Sequence, residues 1–188
     1  MRQNSDVIFI GEIRDPESAS AAVQLAQTGH LVLTTLHTRD SIGVISRLEA
    51  FDVHPNFIAN TLIGSINIRL AQQLCEHCRV DAQLTGKVVA MAHKMMAPPP
   101  NAKFYKAGPG CKHCVAGVVG QMPILELFVP DAELADLINR RASKIQIFEA
   151  ARRKGMRTLG EDALIRAYNG YIDLMNVYSY VFSHDYAS

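Results

Sequence analysis

Two ionisable side chains each follow a short apolar stretch, in a pattern that favours chemistry at one site. Glu12 comes just after the apolar residues 7–10, and His37 follows the second apolar run, LVLTTL, at 31–36. If the two runs are adjacent parallel strands, their carboxyl ends lie at one edge of the sheet, where α/β proteins bind ligands. A carboxylate there can hold Mg²⁺ directly or through water, and an imidazole can donate to a phosphate oxygen.

A structural interpretation of the same residues is also open. Glu12, Arg14 and Asp15 could form a solvated turn with salt bridges, in which Asp15 only caps the following helix. His30, which follows Gly29, is equally typical of a cation at the C-terminal end of a helix.

Four cysteines form two CxxC pairs with 32 residues between them: Cys75 with Cys78, and Cys111 with Cys114. Two such pairs are typical of knuckles that place four thiolates around one tetrahedral Zn²⁺, which would then be structural because every ligand position is filled. Disulfides, a redox CxxC or free buried thiols are the alternatives. His77 and His113 lie inside the two loops and could compete as ligands.

The elements that must position these side chains follow a strand–helix–strand–helix order. This order predicts a mainly parallel α/β sheet within residues 1–70. The expected elements are a strand at 6–10 buried on both faces, a helix at 16–28 capped by Asp15, a strand at 31–36 and a helix from Asp40 or Ser41 to about 51.

The remaining sequence predicts a different arrangement. We expect a long, mostly helical segment at 55–74, a loop-rich region at 75–120 with a helix at 83–97, a strand at 121–129 and helices to the end. Ser143 with Gln146, and Thr158 with Glu161, have the spacing of capping boxes.

The composition bounds the class of protein. The chain has 188 residues, is 48% hydrophobic and carries a net charge of +1, which argues against a nucleic-acid-coating protein. No apolar run is long enough to span a bilayer and no signal peptide is visible, so we expect a reducing compartment in which disulfides are disfavoured. Two strands alone do not make a stable sheet, so the chain is expected to be the C-terminal part of a longer protein.

The 37 residues RQNSDVIFIGEIRDPESASAAVQLAQTGHLVLTTLHT resemble the motor ATPases of type II secretion and type IV pilus assembly. In that family, the strand ending in GEIRD is the Walker B segment and TGHLVLTTLHT is the histidine box. The resemblance implies that Glu12 orders Mg²⁺ and its waters at ATP, and that His30 and His37 face the γ-phosphate. Glu12 and His37 are the implied catalytic residues.

The resemblance extends to the cysteines and the C-terminal part. The assembly and secretion ATPases carry a tetracysteine insertion, which retraction ATPases lack. The run GVVGQMPILE at 117–126 departs from the family's GYxGR-like pattern, since Val118 and Gln121 replace the aromatic residue and the arginine, which indicates a divergent member. The tail at 149–170 is similar to the family's C-terminal helices.

The fold implied by the resemblance is α/β. It comprises a partial RecA-like (P-loop NTPase) parallel sheet at 1–74, an inserted tetracysteine zinc subdomain at 75–120, and a C-terminal strand and helical bundle at 121–188. No GxxxxGK[ST] motif occurs, so the chain by itself is expected not to hydrolyse ATP.

The resemblance further implies a parent protein that is a homo-hexameric ATPase using Mg²⁺ and ATP. Its expected place is the cytoplasm, peripheral to the bacterial inner membrane, where it would meet the membrane-embedded platform and cytoplasmic components of a secretion or pilus system. No nucleic-acid partner and no membrane span are expected. A zinc-stabilised interaction module without a nucleotide role is the main alternative, and a zinc-ribbon nucleic-acid binder is disfavoured by neutral charge and 7% aromatic content.

Overall fold

The computed structural model describes residues 6–84 and 86–182, with side chains to residue 178. The first residues of the 37-residue stretch lie outside this range, as do the outer ends of the predicted divisions 1–74 and 121–188. The elements are β1 (Val7–Ile10), α1 (Pro16–Gln27), β2 (Leu31–Thr34), α2 (Gly43–Glu49), α3 (Pro55–Thr61), β3 (Ser65–Leu74), β4 (Val80–Asp81), α4 (Lys87–Met95), β5 (Tyr105–Lys106), β6 (Val118–Phe128), α5 (Ala132–Asn139), α6 (Lys144–Arg153), α7 (Leu159–Tyr168) and α8 (Leu174–Phe182).

The chain divides into two compact units, and its strands form three two-stranded sheets within the described residues. Unit 1 consists of residues 1–67 and 127–156, and unit 2 of residues 68–126 and 157–188. β1 pairs with β2 in parallel, β4 pairs with β5 antiparallel, and β3 pairs with β6.

Each unit has its own apolar core. In unit 1, α1, α2, α3, α5 and α6 supply most of the buried side chains, among them Ile58, Leu134 and Ile138, and Ile42 lies just before α2. In unit 2, β6, α7 and α8 contribute Ile124, Leu164 and Leu174, and Ile172 lies between α7 and α8.

The helix ends follow the predicted capping chemistry. Asp15 accepts from the Ser18 N–H at the start of α1, with Pro16 at the first helical position, and Gly29 after the helix has φ of 96°. The predicted capping boxes at Ser143 and Thr158 are present at α6 and α7. These predictions are confirmed because capping depends on residues only three positions apart.

The predicted helical segment at 55–74 is wrong beyond Thr61. β3 runs from Ser65 to Leu74, and Ile66, Ile68 and Leu70 are exposed while intervening positions are more buried. This alternation has the period of two that a strand requires, and the sequence SINIRL carries it.

The predicted burial of the first strand on both faces is also wrong for this chain. In the β1–β2 pair, Val7, Phe9, Leu31 and Leu33 are exposed, and Phe9 is 72% exposed. The opposite face packs against the core of unit 1 through Ile10 and Val32. One apolar face of this pair is thus uncovered by the described residues.

In unit 2, the turn after α7 packs against the cysteine region. The Arg79 guanidinium lies 4.5 Å from the centre of the Tyr105 ring, and its Nη1 donates to the Gly170 carbonyl at 2.5 Å. Arg79 thereby hydrogen-bonds a carbonyl at the C-terminal end of α7, where a cation is favourable.

Gly170→Ala should destabilise the end of α7 more than Gly155→Ala destabilises the end of α6. Both glycines have positive φ, 73° and 90°, so alanine costs about 1–2 kcal/mol at either position. Only at Gly170 would the new Cβ approach Arg79 Nη1 and Tyr105 Cδ2, at 2.6 and 2.7 Å, whereas nothing lies within 4 Å at Gly155. Hydrogen exchange of the last-turn amides of each helix measures both effects, and equal losses of protection would contradict the packing argument.

Candidate functional site at the β1–β2 edge and the tetracysteine cluster

The parallel pairing of β1 with β2 determines which side chains meet at the edge of the sheet. Val7 is opposite Leu31 and Ile10 is opposite Thr34, so both strands end at the same level. The contact continues beyond the strands, because the Thr35 hydroxyl donates to the Gly11 carbonyl at 2.7 Å. The segments that carry Glu12 and His37 are thereby held side by side.

Glu12 and His37 lie at one edge of the sheet, as the strand order predicts, and they are in direct contact. His37 Nε2 lies 2.8 Å from Glu12 Oε1. The Glu12 side chain is 18% exposed and the His37 side chain is 87% exposed, so the carboxylate is partly sheltered while the imidazole reaches solvent. An acid and an imidazole therefore share an accessible position beyond the carboxyl ends of two parallel strands.

Arg14 holds the other oxygen of the same carboxylate. Its Nε and Nη2 both lie 2.5 Å from Glu12 Oε2, so the salt-bridged turn of the structural interpretation is also present. The hydrogen bond from Arg14 lowers the pKa of Glu12 below its ordinary value of 4.5; burial opposes this, and the charges of Arg14 and His37 add to it. Glu12 is therefore an anion at neutral pH.

His30 lies elsewhere in the unit. It immediately precedes β2, at the amino end of the strand, and its Nδ1 is 3.1 Å from the Leu25 carbonyl and 3.0 Å from the Thr28 hydroxyl. The structure brings Glu12 and His37 together but does not bring His30 to that edge. Its hydrogen bonds join the end of α1 to the start of β2.

The four cysteine sulfurs of unit 2 form one cluster. All four lie within 4.8 Å of one another, and no other group of potential ligands of this kind occurs in the described part of the chain. Three of the sulfur–sulfur separations are 3.5 Å between Cys78 and Cys114, 3.7 Å between Cys75 and Cys111, and 3.7 Å between Cys111 and Cys114. A tetrahedron of sulfurs about 2.3 Å from a zinc ion has edges of about 3.8 Å, so the residues fit this metal.

Tight backbone turns hold the two knuckles. The Arg79 N–H donates to the Cys75 carbonyl at 2.9 Å, and the Cys75 N–H donates to the Gly117 carbonyl at 2.8 Å. A Cβ on Gly108 would overlap the Cys78 carbonyl, so this glycine allows the backbone to approach the first knuckle. The cluster is thus built from local turns rather than from a large apolar core.

The thiols differ in acidity. Burial and hydrogen bonding within the cluster raise the pKa of Cys78 to about 12. For Cys114, burial acts against ionisation, but the Cys111 N–H and the neighbouring thiols outweigh it and lower the pKa to about 7. Of these two thiols, Cys114 therefore ionises more readily, and the thiolate is the form that a metal requires.

His77 and His113 stack beside the cluster at its surface. Their ring centres are 4.3 Å apart, with 33° between the ring planes. Both residues are exposed, and neither belongs to the group that could hold a metal.

One functional candidate was missed by sequence reasoning. The sequence indicates Asp40 or Ser41 as a helix cap, and Asp40 Oδ1 accepts from the N–H of Gly43, the first residue of α2, although Ile42 occupies the N-cap position. The buried Asp40 carboxylate also pairs with Lys144 Nζ at 2.5 Å. No local signal predicts a pair between residues so distant in the chain.

Comparison with known proteins identifies the family. The profile of the Type II/IV secretion system protein family matches residues 1–179. The chain belongs to this family. Relatives include the type IV pilus assembly ATPase PilB of Thermus thermophilus, 42% identical over 178 residues (94% of this chain, 20% of the relative), and the type II secretion system protein E of Klebsiella pneumoniae, 37% identical over 150 residues (79% and 29%).

Solved structures of two ATPases share the fold of this secretion-family chain. The Legionella pneumophila ATPase DotB aligns with a TM-score of 0.64 at 20% identity, covering 97% of this chain and 40% of that one. The pilus retraction motor PilT with bound ADP aligns with a TM-score of 0.59 at 23% identity, covering 93% and 39%. The chain therefore has the α/β fold of the aligned parts of these two proteins, and it spans about two fifths of their length.

The described part of this family member contains no helix with the length and apolar character needed to cross a membrane.

Arg14→Gln should raise the pKa of Glu12 towards 4.5, because the hydrogen bond from Arg14 is the largest cause of the lowered value. A depressed folded-state pKa contributes stability that is present above the unfolded value and is lost as pH falls through the folded value. The substitution should therefore reduce this acid-dependent part of stability. The ¹³C shift of the Glu12 carboxyl followed against pH measures the change.

Arg140→Gln provides the matched control, because Arg140 forms an exposed pair with Asp136 at 2.8 Å in the same unit. It should leave the Glu12 titration unchanged. An unaltered Glu12 midpoint in Arg14→Gln would show that the Arg14 contact does not govern this carboxyl.

Proposed function

We propose that this chain forms part of a secretion or pilus-assembly motor ATPase, in which Glu12 orders Mg²⁺ and its waters and His37 contacts the γ-phosphate of ATP. The observation that carries the proposal is the 2.8 Å contact between Glu12 Oε1 and His37 Nε2 at the shared end of β1 and β2. Family membership supports it, because relatives are named as assembly ATPases and secretion proteins.

The geometry suits phosphoryl transfer, in which the protein acts mainly by positioning and electrostatics. Two parallel strands fix the backbone of both residues, so little reorganisation is needed when a ligand arrives. Glu12 presents an ionised carboxylate as a ligand or hydrogen-bond acceptor for metal-bound water, and His37 presents a ring nitrogen to solvent. Mg²⁺, when bound with ATP, neutralises charge that develops on the phosphates.

The assembled protein is proposed to be a homo-hexamer on the cytoplasmic side of the inner membrane. It would act there with a membrane-embedded platform and cytoplasmic components of a type II secretion or type IV pilus system. The names of the relatives support both systems equally, since pilus assembly ATPases and secretion proteins match at similar identity.

We further propose that the segment 75–120 is a subdomain held by one structural zinc ion, bound by Cys75, Cys78, Cys111 and Cys114. Sulfur separations of 3.5–3.7 Å along three edges support this ligand set. Four thiolates leave no open position for substrate, so the metal would stabilise the fold and would not take part in catalysis. This cluster is also the observation that favours a second candidate function, a zinc-stabilised module that binds a protein partner.

The purified chain should contain about one equivalent of zinc under reducing conditions, and serine at any of the four cysteines should reduce it below about half an equivalent. His77→Ala and His113→Ala are the matched controls, which should keep the metal because sulfur fills the site. Metal analysis by mass spectrometry, with circular dichroism to check folding, measures this. Folded wild-type protein with less than half an equivalent would contradict the zinc assignment.

A chimeric ATPase tests the roles of Glu12 and His37. Residues 1–178 of this chain would replace the matching segment of the Thermus thermophilus PilB, and ATP turnover would be measured. Glu12→Gln should reduce turnover roughly 100-fold, as expected for loss of a preorganised electrostatic group. His37→Ala should also reduce ATP turnover. The isolated chain should show no metal-dependent turnover.

Glu17→Gln is the control in this chimera, because Glu17 is an exposed acid in the first turn of α1, five positions from Glu12. It should retain turnover. An active chimera whose rate is unaffected by Glu12→Gln would overturn the nucleotide role and favour the interaction module.

A further inference from the structure

We propose that Asp40 and Lys144 form a positioning pair that holds the His37 segment in place against Glu12. The importance of this pair for catalysis depends on the proposed function, but the positioning itself is a property of the chain without nucleotide. The two residues act through the backbone of residues 35–43, here called the His37 loop.

The first end of the His37 loop is fixed to the segment that follows β1. The Thr35 hydroxyl donates to the Gly11 carbonyl at 2.7 Å, and the Ile13 N–H donates to the Thr35 carbonyl at 3.1 Å. These bonds flank Glu12 on both sides. The start of the loop therefore keeps a constant distance from the carboxylate.

The second end of the loop is fixed by the Asp40 side chain, which is only 7% exposed. Its Oδ2 accepts from Lys144 Nζ at 2.5 Å, and its Oδ1 accepts from the Gly43 N–H at 2.8 Å. Between the ends, the Thr38 hydroxyl donates to the Asp40 carbonyl at 2.9 Å, and Asn67 Nδ2 donates to the Arg39 carbonyl at 2.9 Å.

His37 lies between these anchors and is itself 87% exposed. An ion pair or hydrogen bond at such an exposed position is weak on its own, because water competes and a free side chain loses entropy on ordering. The contact with Glu12 is well populated only if the loop already holds the ring nearby. The anchors on either side of His37 supply that preorganisation.

Lys144 is the anchor from the most distant part of the sequence, at the first position of α6, 104 residues from Asp40. Without the charge of Lys144, the Asp40 carboxylate would be a buried, unpaired anion. It can reduce the resulting desolvation penalty by turning towards water. Such a rotation would break the hydrogen bond from the Gly43 N–H. It would also move the backbone at Asp40, which is three positions after His37. Removing the charge of Lys144 on α6 would therefore change the position of the His37 ring.

The test follows the His37 ring by NMR in the nucleotide-free chain with labelled histidine, assigned through His37→Gln. Glu12→Gln defines the ring position when the contact is lost. In Lys144→Met, the His37 cross-peak should move most of the way towards that reference. Lys144→Arg, which restores a cation, should return it close to the wild-type position.

Lys154→Met is the matched control. Lys154 follows the last residue of the same helix and pairs with Asp131 at 2.6 Å and Glu133 at 2.8 Å. The Lys154→Met variant therefore loses ion pairs, as Lys144→Met does, but these pairs do not involve the His37 loop. It should leave the His37 cross-peak unmoved. Should Lys144→Met fail to fold, Asp40→Ala replaces it, since alanine removes both the charge pair and the acceptor of the Gly43 N–H, and the His37 cross-peak should move in the same direction.

An unmoved His37 cross-peak in the folded variant, or an equal movement in Lys154→Met, would overturn the positioning inference. Either result leaves the nucleotide role untouched, because that role is judged by turnover in the chimera. Conversely, a chimera insensitive to Glu12→Gln would end the nucleotide proposal, while the ring movement would still establish what holds His37.

Discussion

The parallel register of β1 and β2 is the constraint on which the candidate site depends. Glu12 and His37 are 25 positions apart in the sequence, and only strands that run in the same direction and end at the same level bring them within 2.8 Å. Backbone hydrogen bonds beyond the strand ends extend this order into the following segments. The side chains therefore inherit their positions from the main chain, which is more rigid than any contact between exposed polar groups.

The two units reach stability in different ways. Unit 1 packs its helices around an apolar core and adds the Asp40–Lys144 pair at its margin. Unit 2 combines a second apolar core with a cysteine region whose turns depend on close backbone approach at Gly108 and on sulfurs gathered within 4.8 Å. A metal ion suits such a region, because a few strong bonds can replace the apolar burial that its loops lack.

The Glu12 carboxylate takes part in both a salt-bridged surface turn and the candidate nucleotide site. Arg14 contacts one oxygen of Glu12 and His37 the other, so an ordinary surface salt bridge and the proposed nucleotide-facing contact share the same carboxylate. Family membership, which covers residues 1–179, gives the second interpretation its weight. The electrostatics are compatible with both, since the lowered pKa of Glu12 keeps it ionised in either case.

The sequence by itself determined the features whose physics is local. Helix caps at Asp15, Ser143 and Thr158, the two cysteine knuckles and the strand–helix–strand order all depend on residues a few positions apart. The alternation that makes β3 a strand is also local, since the residues SINIRL carry it. Tertiary structure alone decided the separation of His30 from the edge that holds His37. It also decided the pairing of Asp40 with Lys144, because which distant residues meet depends on how whole elements pack, and no short stretch of sequence contains that information.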